Sequence, residues 1–192
     1  MSRTLLVCLT LLLCPSAILS AADLPQFQAS DWPWWRGLHR NGVASASQNP
    51  PVKWSATENV IWKSTVPGRG YGSPTVYNNQ VFLASADTEQ ETQFVLCFDR
   101  QTGKQLWKTD VFKGGLSTKG NKKSTHASST VACDGERVFI NFINNGAAYP
   151  TALSLDGKQL WQTKITDYII HQGYGSSPAI YGPLVIVSAD NK

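Results

Sequence analysis

The string Gly-Lys-Gln-Leu-Trp occurs twice in this chain, ending first at Trp107 and again at Trp161. Each copy follows an aspartate, Asp99 or Asp156, that ends an apolar run. A five-residue duplication in a chain of 192 residues, set in the same local pattern, indicates a repeated structural unit. The fold must therefore stack copies of one small motif.

The pattern between the repeats predicts an all-β chain. The apolar segments are short and continuous, at 81–83, 94–96, 138–140 and 184–187, and none shows the i, i+3, i+4, i+7 spacing of an amphipathic helix. Such runs are typical of strands covered on both faces. Residue pairs that favour tight hairpins lie among them: Asn78-Asn79, Asp134-Gly135, Asn145-Gly146 and Asp156-Gly157.

The repeats align as two full units and one partial unit. The first covers 72–109, the second 128–165, and the third begins at 176 and reaches the last residue, 192. Each full unit contains four predicted strands. Four short strands per unit of this length are typical of a β-propeller blade.

The segment Cys-Phe-Asp-Arg-Gln-Thr-Gly-Lys-Gln-Leu-Trp at 97–107 resembles the tryptophan-docking motif of PQQ-type (pyrroloquinoline quinone) propeller repeats. The matching positions are Asp99, Thr102, Gly103 and Trp107, and Cys97 stands where alanine is usual. The second copy keeps Asp156, Gly157 and Trp161 but lacks the threonine and has a shorter turn. The chain is therefore similar to the quinoprotein-like, BamB-like propellers.

That resemblance implies an all-β, PQQ-type β-propeller with four-stranded antiparallel blades. Family members typically have eight blades, so about two and a half are expected here, and we expect the chain to be a fragment of a longer protein. Self-assembly of the pieces into a ring is the alternative. Residues 59–66, which include Trp62, are expected to be a lone strand that closes the last blade. The docking tryptophans are expected to pack against neighbouring blades.

The N-terminus predicts export. A single Arg3, the apolar stretch Leu5–Leu13 and the small residues Ser20-Ala21-Ala22 have the form of a secretory signal peptide over 1–22. A lipoprotein with Cys14 lipidated is the weaker alternative. The resemblance implies the periplasm or cell envelope of a bacterium, and no later segment is apolar enough to span a membrane.

Residues 23–58 form a tryptophan-rich lead-in before the repeats, and 32–45 resemble the lead-in of exported planctomycete PQQ-like proteins. The cluster Trp32-Pro33-Trp34-Trp35 is expected to be a buried plug packed on the underside of the propeller. An exposed patch for sugars or a membrane surface is the alternative.

Charge and cysteine content exclude several classes of function. The formal net charge is only +4 and is spread along the chain, so no nucleic acid partner is expected. Lys119, Lys122 and Lys123 form the densest basic patch, interpreted as a solvated loop with anion binding as the minor alternative. Cys97 and Cys133 match no metal motif or disulfide framework and are expected to be buried free thiols, with a disulfide between them as the alternative in an exported protein.

Three functions remain open: a non-catalytic scaffold that binds proteins or envelope components, a quinone-dependent dehydrogenase, and a carbohydrate-binding or sensor propeller. The dehydrogenase would need an adjacent cysteine pair, Ca²⁺ ligands and a catalytic aspartate, and none can be placed in this sequence. No cofactor is therefore predicted, and PQQ with Ca²⁺ belongs only to that alternative. Whether the chain is part of an enzyme stays open, and the scaffold is favoured, with an envelope protein or a glycan as its partner.

The most probable ligand-binding surface is the axial funnel, where a segment leads into the first strand of each unit. The candidate contacts there are Arg69, Tyr71, His126, His171 and Tyr174. Their polar side chains suit an anion or a sugar. The alternative is that they only satisfy loop backbone groups.

Overall fold

The computed structural model describes residues 26–190, which contain eleven β-strands and no helix. The predicted signal peptide lies outside these residues. The first sheet has the order β1 (Thr75–Tyr77), β2 (Gln80–Asp87), β3 (Thr92–Asp99) and β4 (Gln105–Lys113). The second has β5 (Ala132–Cys133), β6 (Arg137–Asn144), β7 (Ala147–Ser154) and β8 (Gln159–Gln162), with β9 (Thr166–Asp167) also paired to β7. The third is the hairpin of β10 (Ala179–Tyr181) and β11 (Leu184–Ile186).

All of these pairings are antiparallel between chain neighbours, except that β9 returns to β7. The two four-stranded sheets and the hairpin are thus two propeller blades and the start of a third, as predicted. We call them blade one, blade two and the partial blade. They form an incomplete propeller in the described part of the chain.

The apolar runs are continuous because each central strand faces two different interfaces. Successive side chains of a strand point to opposite faces of its sheet. In β3, Val95 and Cys97 pack between blades one and two, whereas Phe94, Leu96 and Phe98 pack on the other face, against Val66. In β6, Val138 and Ile140 lie in the first of these cores and Phe139 lies in the core towards the partial blade.

Two strands are longer than the sequence pattern predicts. The sequence pattern predicts one strand that ends at Trp107 and another that begins at Ala152, whereas β4 continues to Lys113 and β7 begins at Ala147. Pro150 interrupts the apolar pattern of β7, and proline donates no hydrogen bond to a ladder. Its carbonyl oxygen still accepts one from Thr163 N at 3.1 Å, so the strand runs through the proline.

Each blade has two distinct ends. The turn end carries the hairpins at 78–79, 100–104, 134–136 and 155–158. The loop end carries the hairpins at 88–91 and 145–146 and the two connections between blades, 114–131 and 168–178.

At the turn end, two of the three docking tryptophans contact the hairpin of the blade that follows them. Trp62 donates its indole N–H to Arg100 O at 2.8 Å and lies over Gly103. Trp107 donates to Leu155 O at 3.0 Å and lies over Gly157. Trp161 packs on Phe139 and remains 38% exposed.

The docking turn itself is shaped by Asp99. Its Oδ1 accepts hydrogen bonds from the backbone N–H groups of Gln101 (3.0 Å) and Thr102 (2.8 Å) and from the Thr102 hydroxyl (2.7 Å). In the second copy, Asp156 accepts a hydrogen bond from the Ser154 hydroxyl instead. The motif residues predicted from sequence thus have a structural role.

The lead-in runs along the innermost strands at the turn end. Trp32 forms a bridge with Val76 on the free edge of β1, and Pro33 O accepts from Cys133 N of β5 at 2.7 Å. Arg40 then donates to Ile180 O of β10 at 2.5 Å. The lead-in therefore bonds to all three inner strands and covers an unpaired strand edge.

The tryptophans of the lead-in do not share one environment. Trp34 is 4% exposed and packs with Phe139 and Ile180, as expected for a plug. Trp35 is 56% exposed, with the Arg36 guanidinium over its ring. Residues 59–66 form no strand and pair with none among the described residues, so their role as a closing strand stays a prediction.

Candidate functional site

A cavity of about 230 Å³ lies at the loop end, between the two connections that join the blades. One wall is formed by loop residues between Ser117 and Ser128, and the other by Ile170, Gly173 and Tyr174. Its floor is the end of β6, residues 141–143. The cavity is therefore enclosed by the two connections and by blade two.

The lining of the cavity is polar and carries positive charge. Lys119 and Lys122 stand at its rim, and none of the described residues that line it is an aspartate or glutamate. Serine, threonine and asparagine side chains fill much of the loop wall. Phe142, Ile143 and Ile170 add apolar surface. Such a mixture suits a small ligand with both polar and carbon-bound faces.

Asn141 is the polar group at the floor. It is 1% exposed, and its Nδ2 donates to Ser176 O at 3.3 Å. Its Oδ1 is buried without a hydrogen-bond partner among the described residues. A buried acceptor left unpaired costs about 1–3 kcal/mol, so this oxygen favours a donor placed in the cavity.

The loop wall is anchored by Gln93 of blade one, which is fully buried. Its Nε2 donates to His126 O at 2.8 Å and to Ile143 O at 3.1 Å. Its Oε1 accepts from Asn144 Nδ2 at 3.1 Å. One side chain therefore fixes the loop and the end of β6 relative to each other.

Two of the five funnel residues predicted from sequence meet in this cavity, His126 and Tyr174. Burial lowers the pKa of His126, so its imidazole is neutral near pH 7. Burial also raises the pKa of Tyr174 to about 12, and its hydroxyl donates to Ser188 O at 2.8 Å. Neither group adds charge to the cavity at neutral pH.

The other three predicted residues lie elsewhere. Arg69 and Tyr71 form a pair of their own, with a hydrogen bond between them and the guanidinium 5.1 Å from the ring centroid. His171 is exposed, and its Nδ1 is 3.3 Å from Gln172 Nε2. The predicted funnel set is therefore divided among separate places.

The backbone explains why Arg69 and Tyr71 point outwards. They alternate with Gly68, Gly70 and Gly72, and a Cβ at each glycine would collide with backbone atoms of β2 or of the 127–130 segment. A Cβ at Gly70, for example, would lie 2.6 Å from Ala84 O. Only glycine permits so close an approach of two backbones.

Sequence reasoning missed Asn141 and Gln93. Both are polar residues within otherwise apolar strands, and that contrast was the available signal. Lys119 and Lys122 were recognised as a basic patch, but their place beside Tyr174, more than 50 positions away, had no signature in the sequence.

The described residues do not fit PQQ with Ca²⁺. Among residues 26–190, no three His, Cys, Asp or Glu side chains are grouped as metal ligands. Cys97 and Cys133 are free, fully buried and in different blades rather than adjacent. Burial raises the pKa of each thiol to about 12.

No helix in the described part of the chain is long and apolar enough to cross a membrane.

Comparison with known proteins agrees with the blade architecture. No curated protein matches the chain. The family model described as "Outer membrane protein assembly factor BamB" matches residues 30–191, which include most of the lead-in, both blades and the partial blade. The match covers most of the chain. The blades and docking tryptophans of this chain have the form of that family's PQQ-like repeats. The chain therefore belongs to the BamB-like family of PQQ-repeat β-propeller proteins.

Proposed function

We propose that this chain is a non-catalytic binding module of the bacterial cell envelope, and that its partner, an envelope protein, contacts the loop end of the blades. The observation that carries the proposal is the difference between the two ends. The turn end is covered by the lead-in, whose Trp32, Pro33 and Arg40 bond to the inner strands. The loop end presents two long connections and an open cavity.

The family supports a partner that is a protein, since its description names an assembly factor of outer membrane proteins. Fold alone does not carry function across a family, so the surface must supply the argument. Export to the periplasm or envelope is supported by the signal-peptide pattern at 1–22. The dispersed charge of +4 gives no support to nucleic acid.

The dehydrogenase alternative has less support. PQQ chemistry needs a quinone held on the axis with Ca²⁺, and the described residues offer neither an adjacent cysteine pair nor a carboxylate cluster. The inner edges of β1 and β5 are also bonded to the lead-in, so these edges are not free to hold a quinone on the axis.

Site-specific photo-cross-linking in the native host tests the proposal. A photoreactive residue at Thr118, exposed on the loop end, is expected to capture one defined envelope protein. The same residue at Glu136, exposed in a turn-end hairpin, is the matched control and is expected to capture none. Equal capture at both positions, or dye reduction by the purified protein after addition of PQQ and Ca²⁺, would contradict the proposal.

A further inference from the structure

We infer that the loop-end cavity is a binding site for a small hydroxylated carboxylate, such as a sugar acid. The inference rests on the proposed binding role and names a ligand class for the same end of the propeller. It depends on three properties of the cavity: its size, the unpaired acceptor at its floor and the charge at its rim.

Size limits the ligand first. A volume of about 230 Å³ holds roughly eight water molecules at about 30 Å³ each. This is below the range of about 300–1,000 Å³ typical of sites for drug-sized molecules. The cavity therefore suits one sugar ring or a compact organic acid, and it excludes a folded peptide segment.

The floor requires a hydrogen-bond donor. Asn141 Oδ1 is buried and unpartnered, whereas the Nδ2 of the same side chain is engaged with Ser176 O. This oxygen is fully buried, so a ligand hydroxyl satisfies it once the floor opens slightly towards the cavity. A simple carboxylate such as acetate, which only accepts, would not satisfy it.

The rim requires negative charge. Lys119 and Lys122 are both exposed and lie on one loop, and no acidic side chain among the described lining residues opposes them. His126 and Tyr174 are both uncharged near pH 7. The field in the cavity is thus positive, and a neutral sugar would leave the two ammonium groups unused.

A ligand that meets these three requirements has a carboxylate at the rim and neighbouring hydroxyl groups that reach the floor. The apolar side chains Phe142, Ile143 and Ile170 then have the C–H face of the ligand to contact. Such a group occurs as a free sugar acid and at the end of an acidic polysaccharide. The chemistry at the cavity is the same in both cases.

Calorimetric titration of the full chain with sodium glucuronate tests the inference. Glucuronate is expected to bind saturably, and both glucose and acetate to bind about tenfold more weakly. Acetate leaves the buried oxygen of Asn141 unpaired, which costs about that factor. Glucose lacks the carboxylate, and the loss of two exposed ion pairs at about threefold each gives a similar factor. An acidic trisaccharide that binds tighter than glucuronate would assign the site to polysaccharide ends, and equal affinity would assign it to the free acid; both results support the site.

Variants distinguish binding in the cavity from general electrostatic attraction of an anion to the protein. Lys119→Gln and Lys122→Gln are each expected to weaken glucuronate binding about threefold, the effect of an exposed ion pair. Lys123→Gln is the matched control, because this exposed lysine belongs to the same loop but not to the lining. Asn141→Asp is expected to abolish binding by placing a carboxylate at the floor.

The inference is overturned if glucuronate fails to saturate, if glucose binds equally well, or if Lys123→Gln has the same effect as Lys119→Gln. The lysine variants are at exposed positions, so these results do not depend on how Asn141→Asp folds. Cross-linking at Thr118 is independent of the titration. A failed titration with successful cross-linking would therefore reject the ligand and leave the proposed function standing.

Discussion

The indole nitrogen of Trp107 in blade one lies 3.0 Å from the carbonyl oxygen of Leu155 in blade two. The Trp107 ring covers Gly157, and the hydroxyl of Thr109 donates to Gly157 O at 2.6 Å. Blade one is thus attached to the next blade through the hairpin that the repeated sequence motif builds. Each blade needs such an attachment because it cannot bury both faces of its sheet alone.

Removing the indole hydrogen bond tests this attachment. Trp107→Phe keeps a smaller aromatic ring and removes this donor, so Leu155 O retains the hydrogen bond from Gln80 Nε2 at 3.0 Å. We expect a loss of about 1–2 kcal/mol in the free energy of unfolding, measured by urea denaturation. Trp161→Phe is the control, because its ring is already 38% exposed, and a change below about 0.5 kcal/mol is expected. Equal losses would contradict the docking role of Trp107.

Substitutions at Gly157 and Gly146 distinguish the cost of a steric clash from the cost of backbone strain. Both have positive φ, at 87° and 69°, but a Cβ at Gly157 would lie 2.6 Å from the Trp107 ring, while one at Gly146 would meet nothing within 4 Å. Gly146→Ala should cost about 1 kcal/mol, the strain of an alanine in this region. Gly157→Ala should cost at least about 2 kcal/mol more, since the tryptophan must move. Thermal unfolding of both variants measures the difference, and similar melting temperatures would refute it.

Trp34 and Trp35 are neighbours with opposite burial. Trp34→Ala removes a 4% exposed ring from the core around Phe139 and Ile180, and we expect a loss of about 3–5 kcal/mol. Trp35→Ala removes an exposed ring and its stacking with Arg36, worth about 0.5–1 kcal/mol. Denaturant unfolding compares the two. A larger loss at Trp35 would mean that the lead-in packs differently from this structure.

Asp99 gives the docking turn a pH dependence. Hydrogen bonds from the hydroxyl and N–H of Thr102 lower the pKa of this carboxyl below its ordinary value of 3.8. Because the pKa is lower in the folded state, the carboxylate stabilises the fold above about pH 4, and this contribution is lost as the pH falls through the folded pKa.

Asp99→Asn should therefore be less stable than the wild type at pH 7, with the gap narrowing towards pH 2. Urea denaturation at several pH values gives the gap directly. A gap that stays constant with pH would show that the charge of Asp99 makes no contribution.

The two buried thiols should be inert while the protein is folded. With a pKa of about 12, only about one thiol in 10⁴ is ionised at pH 8, and both side chains have 0% exposure. Iodoacetamide at pH 8 is expected to leave Cys97 and Cys133 unmodified in the folded protein and to alkylate both in guanidinium. Peptide mass spectrometry distinguishes the two states, and a cysteine that resists alkylation after unfolding would indicate a disulfide.

The structure of a single blade follows from local sequence. Strand identity, hairpin positions and the docking turn depend on neighbours within about ten residues, through side-chain alternation, turn residues and the bonds of Asp99. These local rules predicted the all-β repeat correctly. They did not predict the start of β7, because Pro150 interrupts its apolar pattern and its pairing is set by β6.

The contacts between blades, in contrast, depend on how the folded sheets pack. Trp62 bonds to a residue 38 positions away and Trp107 to one 48 positions away, and Gln93 contacts Ile143 across 50 positions. The cavity likewise joins Lys119, Asn141 and Tyr174 from two connections and a strand. No local pattern encodes such contacts, because they arise when rigid sheets pack face to face and bring together whichever loops stand at their ends.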